Sequence, residues 1–535
     1  MPLRSRAAVW PVTTGLLLVL AASLPYIAAQ RAEDADHVFN GAVFDRQDHA
    51  VYLAMMHAGE AGEWSYRYRF TSETQAGANV RQYYLALGQL ARLLPGEGNP
   101  GLSAVFQGAR WVSGLAMCAA VYGLFAQLFA SVAARRLGFL LAVTASGFGW
   151  LLLLTGWLPD PGVSPIDFWL FDAYPFFGMM TFPHFTSVIA LLAAMVALYL
   201  SDLRAAAWWK AAGVVLAGPV AVWIQPFAPA LADAAMGGAF LSVWLSPANY
   251  NGARSGRKFP VRAFTVLAAA GLAQTPLLVY NLAVFRADPV MQTFAAQNVT
   301  LSPPWIYYLL GFGPIGLLAV WALVSRRVDP ARPGSAAMLA WAAAAPVLAY
   351  LPWVYQRRFM LAYTIPLSAL AVTALQALWR RGSAQPWFRT RRPIWSFLAV
   401  FGAGLSSLAL AISTAAIMGS QPREFFDPTP VVRAADWLAG RAGPDDLALA
   451  GGVETSRLLA ARAGLQVFWG HPIETLDAGR KETEVAGFFA GERDAAWLAS
   501  NGVDWVLVEP YESVDPAGLS LVYDEAAVRI YLVDR

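Results

Sequence analysis

Residues 8–29 read AVWPVTTGLLLVLAASLPYIAA, and this apolar run without a charged side chain decides the class of fold. A helix needs roughly 20 apolar residues to cross the hydrocarbon core of a bilayer. Because Arg4 and Arg6 precede the run and Ala28-Ala29-Gln30 follows it, a cleaved signal peptide is the alternative interpretation. The length of the run favours an uncleaved membrane anchor. In both cases the segment that follows lies outside the cytoplasm.

The composition of the whole chain supports a membrane protein. Of its 535 residues, 57% are hydrophobic and 14% are charged, whereas soluble globular proteins carry roughly 25% charged residues. The mean hydropathy is +0.46. A net charge of +3 gives no strong basic field, so we expect no nucleic-acid partner. A single cysteine, Cys118, excludes an internal disulfide and a metal site with several Cys ligands.

Ten further apolar segments follow the first and predict a polytopic α-helical membrane protein. The eleven candidate spans are 8–29, 104–131, 137–158, 183–201, 208–224, 227–246, 262–284, 304–325, 335–352, 359–379 and 394–418. The two segments beside Gln225-Pro226 could instead form one broken span, because proline interrupts a helix.

The positions of Lys and Arg predict the orientation of the spans, because cytoplasmic loops carry an excess of these residues. With the N-terminus inside, eighteen of them lie at cytoplasmic ends, and the short outer loops hold three, Arg286, Arg357 and Arg358. We therefore expect a multi-pass protein of the cytoplasmic (inner) membrane whose C-terminal domain lies outside.

Two extracytoplasmic segments are too long to be simple connections. In the first, 30–102, apolar periodicity predicts helices at 48–58 and 79–94 that lie at the membrane interface. In the second, 419–535, alternating helical and strand patterns predict a small α/β domain. We expect a transmembrane domain over 1–418 and an extracytoplasmic α/β domain over 419–535.

An acidic pair follows the first span, where a lipid-borne substrate would present its head group. The sequence there is Phe44-Asp45-Arg46-Gln47-Asp48, at the start of an apolar helix. Asp48 is the candidate general base, because a base must reach its substrate and have a suitable pKa. A neighbouring acid such as Asp45 can raise that pKa. Asp48 could also be a helix N-cap, and the two roles are compatible.

Other carboxylates lie in the same outer loops. They are Glu73, Asp160, Asp167, Asp172 and Asp288. Asp172 is a further candidate catalytic residue that would tune or orient Asp48, and Glu73, Asp167 and Asp288 are candidates for binding the substrate. Asp160 is best interpreted as a solvated loop acid. Carboxylate oxygens could hold Mg²⁺ or Mn²⁺, but their spacing leaves the presence of a metal open. Five histidines are too few for a site with several His ligands.

Several basic residues are candidates for binding an anion. Arg357 and Arg358 break the positive-inside pattern, and guanidinium groups bind phosphate bidentately. Their alternative role is to reach the lipid head groups. Arg110 lies in or near the second span, where a charge marks a functional candidate. His184 begins the fourth span and is either a structural hydrogen-bonding residue or a contact to phosphate or to an acceptor hydroxyl.

These features together resemble the integral-membrane glycosyltransferases of the C superfamily (GT-C), which have many spans, an acidic motif in the first outer loop and often an outer C-terminal domain. More closely, the chain resembles a group of bacterial GT-C-like membrane proteins. The resembling stretches are Asp48 to Ala54 with Gly59, Gly62-Glu63-Trp64, Thr71-Ser72-Glu73, Tyr84-Leu85-Ala86-Leu87-Gly88, Asp167-Phe168-Trp169, Pro183-His184-Phe185, Asp288-Pro289, Gln297 to Pro303, Arg357-Arg358-Phe359, Gly470-His471-Pro472 and Lys481 with Phe488-Phe489.

The resemblance implies a mannosyltransferase-like hexosyltransferase that uses a polyprenyl-phosphate sugar donor and a lipid, glycan or protein acceptor. It implies that Asp48 or Asp45 deprotonates the acceptor. Two departures concern the metal and the second acid: Asp172 stands where these relatives favour Glu, and Thr74-Gln75 stands where a His is expected.

Two other functions remain open from the sequence. A transporter or lipid flippase would tend to show related halves and charges near the membrane midplane, whereas the acids here lie in outer loops. The third alternative is a non-catalytic membrane protein that binds an envelope glycan through its outer domain.

Overall fold

A computed structural model describes residues 2–94, 99–157, 164–246, 259–443 and 445–534. Asp160 and three of the basic residues that predict orientation, Arg254, Arg257 and Lys258, lie outside these ranges. The described residues form 23 α-helices and seven β-strands. The chain divides into two compact units, the first of Met1–Leu24, Arg110–Tyr280 and Val299–Ser413, the second of Pro25–Ala109, Asn281–Asn298 and Thr414–Arg535.

Nineteen α-helices of the described chain precede the tail, residues 419–535. They are α1 (Pro2–Ala22), α2 (Leu24–Ala32), α3 (Arg46–Glu60), α4 (Gln82–Ala91), α5 (Asn99–Leu128), α6 (Val132–Thr144), α7 (Gly149–Thr155), α8 (Pro175–Met180), α9 (Pro183–Arg204), α10 (Trp208–Ile224), α11 (Pro229–Leu245), α12 (Val261–Ala287), α13 (Pro289–Gln297), α14 (Trp305–Val324), α15 (Pro333–Ala349), α16 (Thr364–Gly382), α17 (Pro386–Thr390), α18 (Arg392–Ala403) and α19 (Leu405–Met418).

Each of the eleven predicted spans coincides with an apolar helix or helix pair. By length and composition, six stretches of the described chain can cross a membrane: Val9–Ala32, Pro100–Leu128, Pro183–Arg204, Val261–Ala287, Trp305–Val324 and Gln356–Gly382. Two pairs, α6 with α7 and α18 with α19, are bent by 49° and 56°, and α10, α11 and α15 are shorter apolar helices. The polytopic helical class is confirmed. Proline 226 separates α10 from α11, so these two segments are distinct helices.

The first unit is a helical bundle. In it α11 packs against α15, α9 against α10, and α16 against both α6 and α14. Small residues allow close approach at some of these contacts. A Cβ atom on Gly238 of α11, for example, would lie 2.6 Å from the Ala336 carbonyl oxygen of α15. Alanine at this position would therefore push the two helices apart.

The second unit contains a mixed five-stranded sheet. After β1 (His37–Phe39) and β2 (Phe426–Pro428), the tail forms α20 (Thr429–Ala439), β3 (Leu447–Ala450), α21 (Val453–Ala463), β4 (Gln466–Val467), α22 (Ala478–Phe489), α23 (Ala495–Ser500), β5 (Trp505–Val508), β6 (Leu519–Glu525) and β7 (Val528–Val533). The strand order is β4-β3-β5-β7-β6, and the β3–β4 and β3–β5 pairs are parallel. This confirms the predicted C-terminal sheet domain, while the exact boundary at 418 stays a prediction.

Residues 30–102, the first outer segment of the prediction, pack with the tail in this second unit. Strand β1 pairs antiparallel with β2, and α3 packs against both α4 and α21. Helices α3 and α4 cross at two glycines: a Cβ on Gly59 would lie 2.1 Å from the Leu85 carbonyl oxygen, and one on Gly88 2.0 Å from that of Met56. Glycine is required at both positions, and the crossing fixes how α3 presents its first turn.

Candidate functional site

The first turn of α3 carries the predicted acidic pair. Asp45 is the N-cap and has a left-handed backbone conformation, with φ 45° and ψ 66°, which Asp tolerates better than most residues. Its Oδ1 accepts a hydrogen bond of 3.2 Å from the Asp48 N–H. Asp45 therefore caps the helix, and the side chain of Asp48 is 35% exposed.

His471 of the tail faces Asp48. Its Nε2 lies 3.5 Å from Asp48 Oδ1, and its side chain is only 3% exposed. The other ring nitrogen, Nδ1, accepts hydrogen bonds of 3.0 Å from the backbone N–H groups of Ile473 and Glu474. An accepting Nδ1 carries no proton, so in the neutral ring the proton is on Nε2, on the side of Asp48. The hydroxyl of Tyr52 donates to Asp48 Oδ2 at 3.4 Å.

Sequence reasoning did not select His471 as a site residue. It is separated from Asp48 by more than 400 residues, and its only signal was the motif Gly470-His471-Pro472 in the resemblance. A single His beside a Pro has no chemical signature of its own. Only the packing of the tail against α3 brings its ring to the acid.

The two carboxyl groups have different electrostatic surroundings. Burial, and then the charge of Asp48, raise the pKa of Asp45 to about 7, against the opposing influence of His471 and Arg457. Neighbouring carboxyl groups ionise in turn rather than together. The half-buried Asp45 is therefore the member of the pair that is more readily protonated near neutral pH.

A buried ion-pair network holds this helix start against the tail. The Arg46 guanidinium lies 2.7 Å from both Asp427 Oδ1 and Glu454 Oε2, and Arg46 and Asp427 are almost fully buried. Arg46 also donates to the carbonyl oxygens of Arg423 and Glu424. Because most donors of the guanidinium are used, Arg46 acts as a rigid connection between the first outer segment and the tail.

In the first unit, one predicted acid lies with the two predicted arginines. Asp172 is buried, and burial raises its pKa to about 6 although the charges of Arg358 and Arg357 act in the opposite direction. The guanidinium carbon of Arg357 lies 5.1 Å from the centroid of the Trp169 ring. That of Arg358 lies 5.9 Å from the Phe227 ring. This cluster of Asp172, Arg357 and Arg358 combines two cations and one acid, and each guanidinium group lies near an aromatic ring.

Glu73, predicted to bind substrate, forms an ion pair with a buried lysine. Lys481 Nζ lies 2.8 and 2.9 Å from the two carboxylate oxygens of Glu73. It also donates to the hydroxyls of Thr71 and Ser72. The pairing lowers the pKa of Glu73 although its burial acts in the opposite direction. These contacts give Glu73 a structural partner, and a role in substrate binding stays a prediction.

Two other predicted acids accept backbone hydrogen bonds. Buried Asp167 Oδ2 accepts from the N–H groups of Gly147 and Gly149, at the bend between α6 and α7. Asp288 is the N-cap of α13, with its Oδ1 accepting from Val290 and Met291. Both residues thus stabilise local backbone, and their predicted contacts to substrate stay predictions.

Arg110 and His184 are both buried in the first unit. Arg110 donates to the Met179 carbonyl oxygen and the Ser23 hydroxyl, each at 2.8 Å. The His184 ring, in the first turn of α9, lies 3.9 Å from the centroid of Phe185. The structure thus gives Arg110 polar partners within the helix bundle and His184 an aromatic neighbour.

Across the described ranges, no group of three or more His, Cys, Asp or Glu side chains is arranged to hold a metal ion. A requirement for Mg²⁺ or Mn²⁺ stays a prediction.

Comparison with known proteins adds evidence on the fold. No protein-family model and no curated protein matches the sequence. Among solved structures, the archaeal oligosaccharyltransferase AglB from Archaeoglobus fulgidus, in complex with an inhibitory peptide and a dolichol-phosphate, is similar with a TM-score of 0.52 and 11% identity, over 94% of this chain and 69% of AglB.

ArnT from Cupriavidus metallidurans is similar in two states. The structure bound to undecaprenyl phosphate has a TM-score of 0.50 and 13% identity, over 96% of this chain and 97% of ArnT. The apo structure has a TM-score of 0.51 and 13% identity, over 97% and 98% of the two chains. These similarities show that the chain shares its overall fold with AglB and ArnT.

Proposed function

We propose that the chain is a membrane glycosyltransferase that moves a sugar from a polyprenyl-phosphate donor to an acceptor at the outer face of the cytoplasmic membrane. The observation that carries the proposal is the exposed Asp48 carboxylate, flanked by the capping Asp45 and the Nε2–H of His471. The GT-C architecture supports the same reaction class. The orientation is the one that the Lys and Arg distribution predicts, with the N-terminus inside and the tail outside.

Asp48 has the properties of a general base for this reaction. It accepts the proton of the acceptor hydroxyl as the acceptor oxygen bonds to the anomeric carbon. The bond from that carbon to the phosphate oxygen breaks, and polyprenyl phosphate leaves with the electron pair. Because Asp45 caps the helix and its pKa is raised to about 7, Asp48 is the candidate base of the pair, and we infer a single displacement with inversion rather than a covalent intermediate.

His471 is a positioning residue for this base. The buried imidazole, whose Nε2 lies 3.5 Å from Asp48 Oδ1, favours the ionised form of that carboxylate and restrains its rotamers. The proton that Asp48 receives must return to water, and its partial exposure provides the route.

Arg357 and Arg358 are the candidates for binding the phosphate of the donor. The leaving phosphate gains negative charge as its bond to the sugar breaks, and guanidinium groups stabilise such a charge most strongly away from bulk water. Asp172, with a pKa of about 6, lies with these arginines and keeps the cluster from carrying two uncompensated charges. Binding of phosphate would then favour the protonated form of Asp172.

The test is transfer from polyprenyl-phosphate sugars by the purified full-length protein. Asp48→Asn is expected to abolish turnover while the unfolding temperature stays near that of the wild type. The matched control is Asp494→Asn, at the exposed N-cap of α23, where Asn caps a helix as well as Asp. Retained turnover in Asp48→Asn would exclude Asp48 as the base. A wild-type protein that moves the lipid across vesicles without transferring sugar would favour a flippase.

A further inference from the structure

A polar cavity lies on the face of α3 next to the acidic pair. Its volume is about 190 Å³, and its lining includes Arg46, His49, Ala50 and Leu53 of α3. Residues spaced by three and four positions lie on one side of a helix. Asp45, Asp48 and Tyr52 occupy the adjacent side by the same spacing. The tail closes the cavity with residues of α20 and α21, among them Val432, Leu458 and Ala461.

His49 is the unusual residue in this lining. It is only 4% exposed, and the described residues offer its imidazole no hydrogen-bond partner. Its one ring contact is with the edge-on ring of Phe106, 4.9 Å between centroids. Burial, and then the charge of Arg46, lower the pKa of His49 to about 3, so the ring is neutral. A neutral imidazole offers one donor and one acceptor, so both nitrogens of His49 can pair with a hydroxyl group.

The basic side chains around the cavity are already paired with acids. Arg46 is bound to Asp427 and Glu454, and Arg457 donates to Glu454 at 2.8 Å. Arg462 forms a two-point ion pair with Asp436, a residue of α20. The lining therefore has no unpaired basic group to bind an anion, and the polar group open to a ligand is the neutral imidazole of His49.

The size and the apolar walls narrow the class of ligand. At about 30 Å³ for each molecule, the volume corresponds to roughly six waters, and it is smaller than the roughly 300–1,000 Å³ typical of sites for drug-sized ligands. Ala50, Leu53 and Leu458 give part of the wall an apolar surface. A pyranose ring matches such a lining, because it combines apolar C–H faces with hydroxyl groups that both donate and accept.

We propose that this cavity binds a single uncharged sugar residue, whose hydroxyl groups pair with the imidazole of His49. That this bound sugar belongs to a glycan acceptor, next to the hydroxyl that Asp48 deprotonates, rests on the proposed function. Occupancy of the cavity by a sugar does not depend on it.

The experiment measures binding of uncharged methyl glycosides to the full-length protein by saturation-transfer NMR and titration. The panel contains the methyl glycosides of glucose, mannose, galactose and N-acetylglucosamine, with glucuronic acid and glucose 1-phosphate as charged comparators. All variants are made in the Asp48→Asn background, so that a wrong proposal about transfer leaves the binding result unaffected. We expect at least one uncharged glycoside to bind and both charged sugars to bind more weakly.

Two substitutions test the location. His49→Phe keeps the ring and removes both hydrogen-bonding atoms, and we expect binding to weaken about tenfold. Ala461→Leu fills the cavity from α21, and we expect binding to be lost. His57→Phe, on the same helix outside the cavity, is the matched control and should bind as the parent does. Binding unchanged in both cavity variants, preferred binding of the charged sugars, or no binding of any uncharged glycoside would each overturn the proposal.

Discussion

The buried pair of Arg46 and Asp427 should stabilise the second unit far more than an exposed pair of the same length. Asp427→Asn removes the charge that lies 2.7 Å from the Arg46 guanidinium, where the two side chains are 3% and 1% exposed. Breaking a buried pair by removing one partner costs about 3–5 kcal/mol. Because Arg46 keeps Glu454 at 2.7 Å, we expect the lower end, about 3 kcal/mol.

The second unit contains a matched control for this substitution. Arg67 and Asp445 also join the first outer segment to the tail with an N–O distance of 2.7 Å, but Asp445 is 76% exposed. An exposed pair contributes roughly 0–1 kcal/mol. Asp445→Asn therefore removes the same charge from a pair of the same length. Asp427 differs in its burial and in a second ion pair, with Arg423 at 2.7 Å.

The measurement is the free energy of opening of the second unit, obtained by pulse proteolysis of the detergent-solubilised protein in denaturant. A loss of about 3 kcal/mol raises the population of the cleavable form more than a hundredfold. Equal losses for Asp427→Asn and Asp445→Asn would refute the argument from burial. A loss for Asp427→Asn that disappears in high salt would also refute it, because salt screens exposed pairs and spares buried ones.

Three further predictions concern the candidate base and its surroundings. The pKa of Asp45 is about 7 in the folded chain and near 3.8 in the unfolded chain, so this group contributes stability below pH 4 that is lost as pH rises through 7. The free energy of unfolding of Asp45→Asn, relative to that of the wild type, should therefore increase between pH 4 and pH 7. A constant difference would contradict this. His471→Leu should lower turnover about ten- to a hundredfold and move the acidic limb of the pH–rate profile to higher pH, because a donor that favours the Asp48 carboxylate is lost. His471→Gln can still donate and should recover part of the rate. An unshifted profile in the Leu variant would leave His471 with a purely structural role. Lys481→Met should destabilise the second unit by about 3 kcal/mol, because it leaves Glu73 partly buried without its cation. The double variant Lys481→Met with Glu73→Gln should regain stability. If this double variant also regained transfer, Glu73 would not bind substrate.

Local signals in the sequence were sufficient for the helices and most of the tail. A membrane span is a property of about 20 neighbouring residues, and a buried strand such as Trp505-Val506-Leu507-Val508 is apolar throughout. Strands β1, β2 and β6 were not predicted from the sequence. Strand β6, Leu519–Glu525, lies at the edge of the sheet with most of its residues exposed. An edge strand with one partner carries little of the burial pattern that identifies a strand.

The candidate site was predictable only where its parts are adjacent in the sequence. Asp45 and Asp48 share one helical turn, so their coupling follows from spacing alone. The pairing of Glu73 with Lys481 joins residues about 400 positions apart, and so does the contact of Asp48 with His471. Such contacts depend on how the tail packs against the first outer segment, which hydropathy and periodicity do not encode.

The tail therefore supplies contacts to the candidate base, Asp48, as well as stability to the unit. Its backbone at 473 and 474 fixes the tautomer of His471, and that tautomer sets which atom meets Asp48. Its Asp427 holds Arg46, one residue after the helix cap. A chain that lacks the tail would keep the acids of α3 but lose the groups that orient them and separate their protonation. We expect such a chain to lose transfer even if its membrane helices fold.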